Sequence, residues 1–112
     1  LPEGATFIDG RALANTSLEE TRTVVEALIA TNRPVPALAV VVVGHKPASA
    51  AYIKRKLASA EICGVAVRKY QLEDDASEAE VLELVHSINE DASVHGVIVQ
   101  LPLPPHMDEA RV

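Results

Sequence analysis

Three side chains in the middle of this 112-residue sequence have the types and the spacing to do chemistry together. Ser49, Tyr52 and Lys56 stand at i, i+3 and i+7. On a helix, at about 100° per residue, they fall within roughly 60° of one another. A hydroxyl, an aromatic ring and a primary amine on one side suit a site that grips a flat organic ligand and moves a proton beside it. The plainer reading has Tyr52 packing at the core margin and Lys56 snorkelling its amine to water. Lys54 and Arg55 adjoin Lys56, and Arg55 reads as ordinary solvated surface. Further along, Gln100 opens the run Gln100-Leu101-Pro102-Leu103-Pro104. A glutamine amide can fix a neighbouring amine without bringing charge, or can simply satisfy backbone groups at a strand end.

The elements that must position these groups follow from periodicity and breakers. A helix from Pro47 to Cys63 is predicted, with proline suited to its first turn and Gly64 to a left-handed stop. Ala50, Ile53, Leu57 and Ala60 make its expected core stripe. Before it, Leu38 to Val43 is an uninterrupted aliphatic run closed by Gly44, which reads as a central strand buried on both faces. Upstream, Thr6 to Asp9 reads as a small strand or docking arm. Thr16 and Ser17, each followed three residues later by a glutamate, signal the start of a first helix. Its stripe is Leu18, Val25, Leu28 and Ile29, and Pro34 and Pro36 end it. Val65 to Leu72 reads as a weaker strand interrupted by Arg68 and Lys69, and Glu73 to Ala76 as an acidic loop. Ser77 with Glu80 caps a third helix faced by Val81, Val85 and Ile88, and His95 to Leu101 is a third strand. This alternation predicts an α/β fold: a three-layer α/β/α arrangement around a mostly parallel sheet, a βαβαβ unit. In such sheets ligands sit beyond the carboxyl ends of the strands. That edge carries Gly44 to Ser49 and Gln100 to Pro104, and Tyr52, one of only three aromatics, points toward it.

Composition narrows the classes. Hydrophobic residues reach 48% and aromatics only 3%, so the core is built from aliphatic side chains. A net charge of −6 opposes general nucleic-acid affinity, which needs a basic surface. No apolar run approaches the roughly 18 residues of a membrane span. The single Cys63 excludes an internal disulfide and reads as a buried structural thiol. His45, His86, His95 and His106 lack metal-ligand spacing, and Glu73, Asp74 and Asp75 read as a solvated loop, so no metal site is expected. Cytoplasm is the expected compartment. Because the chain begins at Leu1 rather than Met, a removed mitochondrial or plastid leader stays open.

Val43-Gly44 to Pro47-Ala48-Ser49, followed by Tyr52-Ile53 and Lys56, resembles the first signature of the bifunctional methylenetetrahydrofolate dehydrogenase/cyclohydrolase family. Gly96-Val97-Ile98-Val99-Gln100-Leu101-Pro102-Leu103-Pro104 resembles the second. Ile8-Asp9-Gly10 and Pro105-His106-Met107-Asp108-Glu109 are similar to flanking segments, so the likeness spans essentially the whole chain in order. The resemblance implies that residues 1–112 are the N-terminal catalytic domain of a two-domain, homodimeric enzyme. That enzyme oxidises 5,10-methylenetetrahydrofolate with NADP or NAD and hydrolyses the methenyl product to 10-formyltetrahydrofolate. It implies that Lys56 transfers the proton, that Tyr52 stacks on the folate, and that Gln100 positions the lysine. Ser49 would line the cleft, and Val99, Leu101 and Pro102 would contact the substrate through backbone groups. The sequence departs from the family at Ala58, commonly a second lysine, and at His45 and Lys46, commonly acidic or amide residues. No G-x-G-x-x-G-like run is present, so these residues are expected neither to bind the dinucleotide nor to transfer hydride. Two alternatives stand beside this reading: the substrate domain of another two-domain dehydrogenase such as shikimate dehydrogenase, and a non-enzymatic α/β interaction module.

Overall fold

A computed structural model describes residues 2–112. Helix α1, Gly10–Ala30, starts earlier than expected, because the Asp9 carboxylate captures the Ala12 amide at 3.0 Å. An aspartate about two turns upstream of Thr16 and Ser17 caps a first-turn donor before either is reached. Thr16 then lies inside the helix and donates its hydroxyl back to the Ala12 carbonyl. Thr6 to Asp9 is exposed and forms no strand. Of the expected stripe only Val25 is buried, Leu18 and Leu28 are half-buried, and Ile29 is exposed.

The remaining elements are β1 (Ala37–Val43), α2 (Pro47–Cys63), β2 (Ala66–Leu72), α3 (Glu78–Glu90) and β3 (Gly96–Val99). The sheet is parallel with order β2-β1-β3, and Val40 stands between Lys69 and Ile98. As the central strand, β1 is covered on both faces. Val40 and Val42 pack with Ile53 of α2 on one side. Ala39 and Val41 pack with Ile88, and Val43 with Val81, both from α3, on the other. The three layers expected from the sequence are therefore present, with α1 packed outside α2 near Val25 and Gly64. β2 lies at the sheet edge, which is why it tolerates Arg68 and Lys69. α3 opens on the predicted capping box: Glu80 N–H donates to the Ser77 hydroxyl, and Ser77 N–H donates to the Glu80 carboxylate.

Two expectations need correction. β3 is shorter than His95 to Leu101: at its start the Ala37 N–H donates to the His95 ring Nδ1 at 3.0 Å, and beyond its end Pro102 has no N–H to extend the ladder. In α2 the buried line is Ser49, Ile53, Ala60 and Cys63, whereas Ala50 and Leu57 are exposed. The helix is rotated by roughly 60° from the expected stripe. That rotation brings the Lys56 side toward the sheet.

Candidate proton-transfer site

β1 and β3 run parallel and end at one edge of the sheet. The Gln100 amide N–H donates to the Val41 carbonyl at 2.8 Å, continuing the ladder just beyond β3, while Gly44 closes β1. The two strand-end motifs thus share an edge. From above it, the half-buried Lys56 donates from Nζ to Gln100 Oε1 at 3.0 Å. Gln100 Nε2 donates to the Leu101 carbonyl at 3.0 Å, so the amide has one direction: oxygen to the lysine, nitrogen to its own loop. Tyr52, one turn earlier on α2, holds its ring centroid 5.8 Å from the Lys56 amine, within cation–π range. Its residue is 52% exposed, which leaves ring surface for a ligand.

Tyr52 and Lys56, the latter bonded to Gln100, open onto a groove of about 380 Å³, walled by Tyr52, Arg55, Lys56 and Ser59 and floored by Leu38 and Ile98. The groove exists because α2 lies over β1 and β2 and leaves β3 uncovered, so Ile98 is 37% exposed. A mostly apolar trough with an amine, an amide and a ring at its head can hold a flat molecule and deliver or remove a proton at one atom.

Not every residue singled out in the sequence lies there. Ser49 is only 5% exposed and lines a smaller cavity with Lys46, Lys69 and Gln71 on the β2 side of α2. It belongs to the helix's contact line with the sheet, so its angular closeness to Lys56 does not place it in the groove. Val99 ends β3 half-buried. Leu101 and Pro102 are exposed and joined by a cis peptide. Beneath them Leu103 and Pro104 are buried, and the Leu103 N–H donates to the Glu109 carboxylate at 3.1 Å.

Sequence reasoning missed the groups that hold the β1–α2 turn. Gln71 Nε2 donates to the carbonyls of Gly44 and Leu72 at 2.8 and 2.9 Å. Gly44 has φ +87°, and the Asp74 carboxylate occupies the space a Cβ would need. Nothing in an edge-strand pattern marks Gln71, and Asp74 reads as one more acid in a solvated loop. Among the described residues no cluster of three or more metal-ligating side chains occurs, and no helix is long and apolar enough to cross a membrane. A dinucleotide does not fit the β1–α2 turn. Pyrophosphate needs glycine-rich backbone and free amides; this turn offers one glycine, Pro47 at the helix start and a carboxylate against Gly44.

Comparison with known proteins bears on the same residues. The family model for the catalytic domain of tetrahydrofolate dehydrogenase/cyclohydrolase matches residues 8–112. Bifunctional protein FolD 2 of Ectopseudomonas mendocina (strain ymp) is 50% identical over 106 residues, covering 95% of this chain and 35% of that protein. The crystal structure of the bifunctional FolD enzyme from Campylobacter jejuni aligns with TM-score 0.89 and 38% identity, over 93% of this chain and 36% of that one. The Trypanosoma brucei methylenetetrahydrofolate dehydrogenase-cyclohydrolase, solved with NADP cofactor and an inhibitor, aligns with TM-score 0.88 and 30% identity, over 96% and 36%. The chain thus spans about a third of the length of the relatives it matches.

Proposed function

Because this chain belongs to the tetrahydrofolate dehydrogenase/cyclohydrolase family, we propose that residues 1–112 are the folate-handling, N-terminal catalytic domain of a bifunctional enzyme. The whole enzyme oxidises 5,10-methylenetetrahydrofolate and hydrolyses the methenyl product to 10-formyltetrahydrofolate. The observation that carries this reading is the 3.0 Å bond from Lys56 Nζ to Gln100 Oε1, beside the Tyr52 ring at the head of an apolar groove. Hydrolysis adds water across the methenyl carbon and opens one carbon–nitrogen bond. The Lys56 amine takes a proton from the attacking water and returns it to the departing ring nitrogen, while the second water proton is released to solvent as the hydroxyl becomes the formyl carbonyl and the methenyl cation's charge is lost. Gln100 holds the amine through a neutral oxygen, which fixes its position without adding charge to the site. Tyr52 stacks the substrate's ring, and the backbone at Val99, Leu101 and Pro102 walls the other side.

Hydride transfer to NADP or NAD is assigned to a part of the longer protein outside these residues, which do not fit a dinucleotide. The bacterial relatives support a cytoplasmic setting, and a homodimeric whole is carried over from the family resemblance. The shikimate-dehydrogenase-like and interaction-module alternatives are not favoured, since the family match runs from residue 8 to residue 112.

The test is Lys56→Met in the full-length protein. Cyclohydrolase turnover should fall at least about 100-fold, the usual scale of a lost general acid–base. Thermal stability should stay within about 1 kcal/mol, because Lys56 is only half-buried. Near-normal hydrolysis by a folded variant would sink the assignment.

A further inference from the structure

The groove is electrostatically unlike the rest of the chain. The sequence carries a net charge of −6, yet two cations, Arg55 and Lys56, line the groove and no carboxylate does. Lys56 is engaged by Gln100. Arg55 takes part in none of the ion pairs or side-chain hydrogen bonds of the described residues, although the sequence alone reads it as ordinary surface. Ser59, one turn further along α2, lines the same wall and is half-buried. An arginine and a hydroxyl at i and i+4 lie side by side, with Cβ atoms about 5–6 Å apart. Together they offer a planar, permanently charged fork and one further donor to an oxyanion.

Tyr52 precedes Arg55 by three residues on this face. On the folate reading, on which this inference rests, the substrate's aminobenzoyl ring lies on Tyr52. The glutamate amide-linked to that ring carries two carboxylates, and Arg55, without an ion-pair partner, lies one helical turn beyond Tyr52 on the same groove wall. We propose that Arg55 and Ser59 form a carboxylate clamp for the glutamyl tail of the substrate. The clamp sets affinity and tail selectivity and does not touch the reacting carbon. Lys54 projects from the opposite side of α2 and does not line the groove, so it serves as a charge-matched control.

The experiment uses the full-length protein and two probes, tetrahydrofolate with its single glutamate and the methylamide of tetrahydropteroate, which keeps the ring-linked amide and carries no carboxylate. Arg55→Met should weaken tetrahydrofolate binding about three- to tenfold, the scale of one charge-assisted hydrogen bond discounted for solvent exposure. It should leave the affinity of the methylamide unchanged and keep kcat within about twofold, because only uniform binding is lost. Arg55→Lys should recover part of the loss, and Lys54→Met should change neither probe. Arg55→Met binding tetrahydrofolate like the wild type, or losing both probes equally, overturns the clamp while leaving the folate site standing. A wild-type protein that binds neither probe overturns the folate reading and the clamp with it.

Discussion

Both ends of the Gln100 side chain are committed, its oxygen to Lys56 and its nitrogen to the Leu101 carbonyl. The lysine therefore meets an acceptor whose direction is set by the loop behind it. Tyr52 has a separate task, and its substitution should separate binding from chemistry. Tyr52→Ala is expected to raise KM about three- to tenfold with a smaller change in kcat, since it removes stacking surface and leaves the amine in place; Tyr52→Phe should behave like the wild type. Steady-state hydrolysis of methenyltetrahydrofolate checks both, and a kcat loss as large as that of Lys56→Met would contradict the division. The juxtaposition of Tyr52, Lys56 and Gln100 was legible because helical spacing fixes the first two on one face and the parallel-sheet rule brings the third to the same edge. Arg55 and Gln71 were not legible, because their roles depend on which strand α2 leaves uncovered and on an edge strand's side-chain direction. Ser49 was misplaced for a related reason. An angular sector on a helix does not reveal where the contact line runs.

At the scale of elements, the β1–α2 turn is the tightest junction. Gly44→Ala is expected to cost about 1–2 kcal/mol of stability, measured by denaturant or thermal unfolding. Most of that cost comes from the positive φ, because the short Asp74 side chain can swing its carboxylate away. Asp74→Ala in the same background should therefore recover little. The α3–β3 connection carries a pH signature. Asp91 accepts the Ser93 hydroxyl at 2.6 Å and the Ser93 amide at 2.9 Å. These two bonds hold its carboxyl below the ordinary value; desolvation opposes them in part, and the Arg68 charge adds a still smaller downward pull. A depressed folded pKa contributes stability above the unfolded value, and that stability is lost as pH falls through the folded one. Wild-type stability should therefore drop more steeply below about pH 4 than that of Asp91→Asn, with the two curves parallel at neutral pH. Helices and strands were placed well where a breaker marks both ends, as at Pro47 and Gly64. The start of α1 was misread because Asp9 caps as well as a threonine and comes first.

The whole molecule is a slab of 51 × 46 × 21 Å with a radius of gyration of 17.3 Å, where a compact chain of about 100 residues measures about 13 Å. Phe7 and Ile8 are 71% and 77% exposed, and α1 buries Val25 alone. Fold class was legible at this scale from the alternation of strand and helix. The unfilled faces were not, because periodicity shows that a stripe is apolar without showing what covers it. The 112 residues purified alone are expected to show no NADP- or NAD-dependent turnover of methylenetetrahydrofolate, since the β1–α2 turn does not suit a pyrophosphate. Absorbance of reduced nucleotide would reveal any such activity. The Lys56–Gln100 bond also joins two layers that have no covalent link nearby, α2 above and β3 below. Ile53 packs on Val40 and Val42 beneath the helix and fixes how closely it lies on the sheet. The aliphatic packing under α2 thus acts as a spacer between the helix that carries Lys56 and the strand end that carries Gln100. A change of one methyl group in that layer is expected to move the amine relative to the amide from a position outside the groove.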